Sequence, residues 1–190
     1  MGAAAQYFSD LMPPDAKAVA RGLRRRDPEL LDRLIQQYQY RLYRYLVSLT
    51  GLPETAEDLF QETWIRVLDR GHQYDGESKF ETWLFAIARH LVIDLSRRKT
   101  LQSFDVLSDE PEAGGASAWD AVVRSETESL VQASVEQLPA AYREVLLLRF
   151  QEDLSLEEIA AVLGTPLSTV KSRLYRSLEA MRLQLGGNQP

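Results

Sequence analysis

At 190 residues the chain is long enough for one ordinary domain or two small ones. It has no cysteine, which excludes a disulfide framework, a thiolate metal site and a thiol nucleophile. Net charge is −6 but unevenly spread: residues 1–99 hold 15 Lys plus Arg against 14 Asp plus Glu, and residues 100–190 hold 7 against 14.

An acidic body with local basic faces binds free DNA weakly, because the phosphate attraction behind nonspecific affinity is small. If such a chain works on DNA, something else carries it there. No apolar run approaches the roughly 18 residues of a membrane span. The N-terminus also lacks the charged-then-apolar order of a secretion signal. A soluble cytoplasmic protein with no membrane insertion of its own is expected.

Residues 1–14 are small, Ala-rich and closed by Pro13-Pro14, and are expected to be disordered. Asp15 can cap a short helix through Val19 and Leu23 to Arg26. Asp27-Pro28 restarts a helix, with Asp as cap and Pro in its first turn. Leu30, Leu31, Leu34, Tyr38, Leu42, Tyr45, Leu46 and Leu49 form its inward stripe, and Gly51 stops it. Pro53 opens the next helix, to about Arg70. Ala56, Leu59, Phe60, Thr63, Trp64, Val67 and Leu68 lie towards its core, and Asp58, Gln61, Glu62 and Arg66 fall on another side.

Gly71 to Lys79 is a turn-rich loop with Tyr74 and Gly76. Ser78 and Glu81 can box the start of a long helix through Phe80, Trp83, Leu84, Ile87, Ala88, Leu91, Val92 and Leu95. That helix ends in Arg97-Arg98-Lys99, a triplet that suits either the negative end of a helix dipole or nucleic-acid contact. Thr100 to Ser117 is acidic, Gly- and Pro-containing and poor in large apolar residues, so it reads as a linker. Fully extended, it reaches about 60 Å, against roughly 34 Å for one turn of DNA.

From Ser117 or Ala118 another helix runs through Trp119, Val122, Val123, Leu130 and Leu138. Pro139 starts the next, with Tyr142, Val145, Leu146 and Phe150 inward. Ser155 and Glu158 form a capping box, Ile159, Ala160 and Leu163 an apolar stripe, and Gly164 ends that helix. Pro166 suits a new helix, with Thr165 or Ser168 as cap. Leu167, Val170, Leu174, Leu178, Met181 and Leu185 then recur at three- and four-residue steps, while Ser168, Thr169, Lys171, Ser172, Arg173, Tyr175 and Arg176 face the other way. This is a helix-turn-helix with hydroxyls and cations near the start of its second helix. An ordinary hairpin with a solvated charged face has the same pattern. No alternating strand pattern or repeat occurs. The fold class is all-α: a helical domain at 15–99, a flexible acidic linker at 100–117, a helix-turn-helix domain at 118–185 and a disordered tail at 186–190.

The second domain resembles the −35-binding domain of bacterial sigma factors of the extracytoplasmic-function (ECF) group. Leu138-Pro139, Leu146-Leu147-Leu148-Arg149, Leu154-Ser155-Leu156-Glu157-Glu158-Ile159-Ala160 and Thr169-Val170-Lys171-Ser172-Arg173-Leu174-Tyr175-Arg176 carry the resemblance. The first domain resembles the −10-binding domain of the same group, through Ala56-Glu57-Asp58-Leu59-Phe60-Gln61-Glu62-Thr63-Trp64 and Phe80-Glu81-Thr82-Trp83-Leu84-Phe85-Ala86-Ile87-Ala88-Arg89. Together the matches span roughly residues 16 to 183, in the family's order.

The resemblance implies a promoter-specificity subunit that binds core RNA polymerase and promoter DNA and is restrained by an anti-sigma factor. It assigns Asp58, Gln61 and Glu62, with Leu59 nearby, to the clamp coiled coil of the polymerase β′ subunit. Acidic and amide groups there suit a basic partner helix. It assigns the loop from Tyr74 to Lys79 and the helix after it to capture of the −10 element as a single strand. Tyr74 is then the stacking wall, and Ser78, Lys79, Arg89, His90, Arg97, Arg98 and Lys99 hold the strand. The family commonly has Asn where this chain has His90, which puts base preference there in doubt. Ser168, Thr169, Lys171, Ser172, Arg173, Tyr175 and Arg176 match the −35 readers, and Arg149 adds a backbone contact. Sequence does not separate base readers from phosphate clamps among them. The linker reads either as a plain tether or, as in related proteins, as an acidic mimic of a nucleic-acid strand.

Catalysis finds no motif: there is no Gly-rich phosphate loop or nucleophile pattern, and His72 and His90 lack ligand-like spacing, so no cofactor, no metal site and no enzyme activity are expected. The rival readings are a sigma-like adaptor that sequesters an anti-sigma factor and an autonomous helix-turn-helix regulator. Basic residues on the second helix weigh against the first, and the acidic balance against the second.

Overall fold

The computed structural model describes residues 15–103, 131 and 133–186, the backbone alone at 99–103 and 186. Among them every regular element is helical. The first domain comprises α1 (Ala16–Arg24), α2 (Pro28–Thr50), α3 (Pro53–Arg70), a single 3₁₀ turn (Gly71–Gln73) and α4 (Phe80–Ser103). The second comprises a helical stretch at 133–136, then α5 (Ala140–Leu146), a wide turn (Leu147–Gln151), α6 (Leu156–Leu163) and α7 (Leu167–Gly186). The expected disordered stretch at 1–14, most of the linker, the helix through Trp119 to Leu130 and the last residues of the tail lie outside the described residues.

Local chemistry sets most helix ends. The Asp15 carboxylate accepts from the backbone N–H of Lys17 and Ala18, and Asp27 from Glu29 and Leu30. Pro28 fills a position whose N–H would have no partner. Gly51, at φ 68°, closes α2 in the left-handed region. Ser155 and Glu158 make both bonds of the capping box, at 3.2 and 2.7 Å, and Gly164 ends α6 at φ 58°.

Other expected ends are corrected. Glu81 turns its carboxylate to the Tyr38 hydroxyl, 3.0 Å away, so α4 does not start on a Ser78–Glu81 box. α4 also runs on to Ser103, past the boundary expected at residue 99. Arg97 and Arg98 therefore lie more than a turn before its end, where a dipole effect confined to the last turn does not account for them. Neither expected cap serves α7. Its first turn hangs from the Pro166 carbonyl, which accepts from Thr169 and Val170, and the buried Thr165 hydroxyl finds no partner among the described residues.

α2, α3 and α4 pack around Leu34, Tyr38, Leu42, Leu46, Ala56, Val67, Leu84, Phe85 and Ala88. α4 is shared: its far side receives α6, so Val145, Leu148, Leu154 and Ile159 of the second domain join the same buried cluster. The wide turn is a π-type turn, in which Glu152 N–H reaches the Leu147 carbonyl at 3.2 Å. Its extra residue shifts the inward face. Leu147 and Leu148 are buried while Phe150, expected inside, is 64% exposed. Leu68 and Leu178, also expected inside, are exposed.

Gly76 is the tightest backbone approach. At φ 74°, a Cβ there would lie 2.7 Å from the Ala16 carbonyl oxygen and 3.0 Å from the Lys17 Cα. The Lys17 ammonium also pairs with Glu77, so α1 clamps the loop before α4. Gly164 shares the left-handed conformation but has open space around it. Gly164→Ala should cost about 1–2 kcal/mol from the backbone alone. Gly76→Ala should cost clearly more, because main-chain atoms block the methyl group. Urea unfolding of the two variants checks this, and equal losses would mean α1 does not hold the loop.

Burial lifts the Tyr45 hydroxyl well above the ordinary phenol range, and the Glu144 charge and the bond to it push the same way. Tyr38 is raised by burial and by Glu81. A raised folded value is a contribution intact below the unfolded phenol pKa of about 10 and lost as pH rises through the folded value, since native chain keeps a proton that unfolded chain releases. Stability should therefore fall more steeply between pH 9 and 11 (roughly the unfolded phenol range) in the native chain than in Tyr45→Phe, as read by thermal melts.

Candidate nucleic-acid interface

On α3, Asp58, Gln61 and Glu62 recur at helical steps on one face, so they share a surface. Asp58 and Gln61 are exposed, and Glu62 is held by Arg66 one turn on, at 2.8 Å. Leu59 points the other way and is 7% exposed, so it packs inside and orients the helix rather than meeting a partner. Sequence reasoning missed Ile65, one turn beyond on the same face and 51% exposed. Leu52 and Leu68 add exposed apolar surface at the ends of α3. An alternation of apolar and acidic groups on an exposed helix face was the available signal.

The loop before α4 has a different interior than expected. Tyr74 is 2% exposed, its ring 5.2 Å from Trp83 and 5.8 Å from Phe80, and its hydroxyl donates to the Ser78 carbonyl at 2.6 Å. Burial first, then Glu81, Asp75 and Asp15, push that hydroxyl up to about 12. Tyr74 is thus corrected from a stacking wall to an internal strut that shapes the loop. A hidden ring with a satisfied hydroxyl offers no face to a base.

Ser78 is exposed at the loop's end, and His90 is exposed on α4. The His90 Nδ1 lies 2.6 Å from the Ala86 carbonyl. A carbonyl only accepts, so Nδ1 carries the proton, and the neutral ring keeps Nε2 as an acceptor. Arg97 and Arg98 are exposed, and the Lys99 side chain lies outside the described residues.

Lys79 and Arg89 are both engaged. The Lys79 ammonium lies 3.0 Å from Glu158, and Arg89 Nε donates to Glu144 at 2.9 Å. The bond to Glu158 raises Lys79. On Glu158 burial works upwards, but the Ser155 N–H, Lys79 and the Ser155 hydroxyl outweigh it and hold the carboxyl below its usual value. Being partly exposed, that pair is worth about 0–1 kcal/mol.

The same seam holds two buried carboxylates. Glu144 Oε1 accepts from Arg89 and from the Tyr45 hydroxyl, each at 2.9 Å. Glu152, its side chain 2% exposed, accepts from Arg41 Nε at 2.7 Å, while Arg41 Nη2 reaches the Glu152 carbonyl at 3.0 Å. Arg44 Nη2 approaches the other oxygen at 3.7 Å. Removing one partner of a buried pair costs about 3–5 kcal/mol, because the other charge is then stranded. Sequence reasoning missed all of these, since Arg41 and Glu152 stand 111 residues apart.

In the second domain, Ser168, Thr169, Ser172, Arg173 and Arg176 line an open concavity of ≈ 310 Å³ together with Tyr142 of α5. Tyr142, expected inward, instead forms part of this wall. Lys171 and Tyr175 are exposed beside it. A helix start that brings hydroxyls and guanidinium groups around one hollow can hold a phosphate or a base edge. Arg149 is corrected: its Nη1 donates to the Leu154 carbonyl at 2.9 Å, tying the wide turn to the start of α6. No helix of the described residues is long and apolar enough to cross a membrane.

The sigma-70 region 2 family model matches residues 34–102, and that of sigma-70 region 4 matches residues 129–181. The ECF RNA polymerase sigma factor SigW of Bacillus subtilis is 34% identical over 169 residues, covering 84% of this chain and 90% of that protein. The RNA polymerase sigma-H factor of Pseudomonas aeruginosa is 33% identical over 172 residues, covering 84% and 88%. The fold is similar to the sigma factor RpoE of Bartonella quintana, solved with the anti-sigma factor NepR, at TM-score 0.65 and 23% identity over 82% of this chain and 98% of that one. It is similar also to CnrH, solved with the cytosolic domain of CnrY, at TM-score 0.65 and 21% identity over 92% and 100%. Two domains matched in order, with relatives a third identical across nearly their whole length, establish that the chain belongs to the ECF sigma factors of bacterial RNA polymerase.

Proposed function

We propose that the chain brings core RNA polymerase to its promoters and starts transcription there, the first domain capturing the −10 element as a single strand and the second reading the −35 element as duplex. The observation that carries this is the α7 face, where Ser168, Thr169, Ser172, Arg173 and Arg176 surround an open hollow on the domain that matches region 4. Lys171 and Tyr175 extend it. Asp58, Gln61, Glu62 and Ile65 form the polymerase-binding face, against the clamp coiled coil of the β′ subunit. Ser78, Lys79, Arg89, His90, Arg97, Arg98 and Lys99 hold the −10 strand, and Tyr74 shapes the loop from within. The domains are those at 15–99 and 118–185, extended by the last turn of α4.

The protein is not an enzyme in itself; the chemistry of RNA synthesis belongs to the polymerase. Its place of work is the cytoplasm, where polymerase and chromosome meet. An anti-sigma factor restrains it, as NepR is found on the RpoE relative.

Run-off transcription with core polymerase over a set of genomic promoter fragments tests this reading. Promoter-dependent transcripts are expected only when both proteins are present. Failure of the purified chain to bind core polymerase would overturn it. Retardation of promoter DNA by the chain alone would favour an autonomous regulator.

Lys171→Glu with Arg173→Glu should reduce transcription from a −35-dependent promoter at least tenfold, a loss of about 1.4 kcal/mol or more, and leave core binding within twofold. Asp58→Arg should do the reverse, weakening core binding in a fluorescence titration while leaving the fold intact. Equal loss of both activities in both variants would break the division of labour.

A further inference from the structure

In the closed arrangement the polymerase face and the −35 face are open, but the −10 face is not. Asp58, Gln61, Lys171, Ser172, Tyr175 and Arg176 are all exposed. Lys79 and Arg89, which the function proposed above sets on the −10 strand, are taken up by Glu158 and Glu144 of the second domain. Each carboxylate sits where a strand phosphate would have to sit, at 3.0 and 2.9 Å from its cation. Acidic oxygens and phosphate oxygens draw on the same donors.

Glu152 anchors this arrangement next door, buried against Arg41 and Arg44 of α2. Its pairing is incomplete. Arg44 approaches only to 3.7 Å, and its buried Nε finds no acceptor among the described residues. Charges that regain water on separation make a seam that is specific in register yet releasable. Apolar packing of α6 on α4 adds area, but it is the ion pairs that decide which groups meet.

We propose that the second domain is a reversible internal cover for the strand-capture face of the first, held by a clasp of Glu144, Glu152 and Glu158 on Arg89, Arg41 and Lys79. In the closed chain the polymerase face is available while the strand face is blocked. Docking on polymerase therefore comes first and strand capture follows opening. This rests on the assignment of Lys79 and Arg89 to the −10 strand.

The absence of native cysteine allows a clean readout. Donor and acceptor dyes are placed on Gln36→Cys and Gln184→Cys, both exposed, in the full chain without polymerase. Transfer is measured for the native background, Glu152→Gln, Arg41→Gln and the double variant, with helix content by circular dichroism as the control for unfolding. Either single change should lower transfer, and the double change should add little, because both remove one interaction.

The same chains are titrated with a fluorescent single-stranded oligonucleotide carrying a −10 sequence. Glu152→Gln should tighten binding severalfold, since apparent affinity scales with the open fraction. Saturating oligonucleotide should lower transfer in the native background too, an arm that needs no change at the clasp. Unaltered transfer in both single variants, or strand binding with the native chain still closed, would overturn the cover. Run-off transcription by the native chain with core polymerase separates the two levels. If it fails, the sigma assignment falls; if it succeeds while transfer never changes, the cover alone falls.

Discussion

A carboxylate with almost no access to water has to meet a cation, and Glu152 meets Arg41. The requirement reaches back into α2, where one stripe supplies nearly every polar bond between distant parts of the chain. Tyr38 donates to Glu81 of α4, Arg41 to Glu152 and, one turn later, Tyr45 to Glu144. These positions are three and four residues apart, the spacing that keeps side chains on one side of a helix. The apolar residues Leu34, Leu42 and Leu46 lie beside them and are fully buried. α2 is thus at once the centre of the first domain's core and the rail on which the second domain is seated. Arg41 also lies over the Tyr38 and Phe85 rings, at 5.4 and 6.0 Å, so its position is limited by packing as well as by charge.

The arrangement separates three surfaces by accessibility. α3 presents acids with a few apolar side chains, a combination suited to a basic partner helix. α7 presents hydroxyls and guanidinium groups around a hollow with room for a phosphate or a base edge. Between them, the cations of α4 face carboxylates of the same chain rather than solvent. A chain with more acidic than basic residues thereby keeps its positive charge for particular neighbours, which is the physical sense in which weak affinity for free DNA and tight use of DNA within a larger assembly go together.

Features set by a few neighbouring residues could be read from the sequence. The Asp27-Pro28 start, the Ser155–Glu158 box and the glycine stops at Gly51 and Gly164 each rest on bonds spanning five residues or fewer. The inward stripe of α2 was legible because a 3.6-residue repeat does not depend on what packs against it. Tyr74 was misread because an aromatic ring in a loop suits exposure and burial equally until the Phe80 and Trp83 rings close over it. Phe150 was misread because a π-type turn breaks the repeat on which its placement relied. Of the site, the faces of α3 and α7 were visible as helical patterns. The pairing of Lys79 and Arg89 was not, since their partners come from a domain whose seating has no periodic signature.

The wide turn at Leu147–Gln151 holds one residue more than an α-helical turn would, and the chain uses that surplus to aim everything downstream. Excising a single residue there would wind the segment back to regular helix and rotate the later helices by about 100° per residue lost. Glu152 would swing off Arg41, the Arg149 tie to Leu154 would part, and α6 would reach α4 on the wrong side. Length in this turn is therefore far less tolerant than composition: among homologues, substitutions at these positions should be common and single-residue gaps scarce.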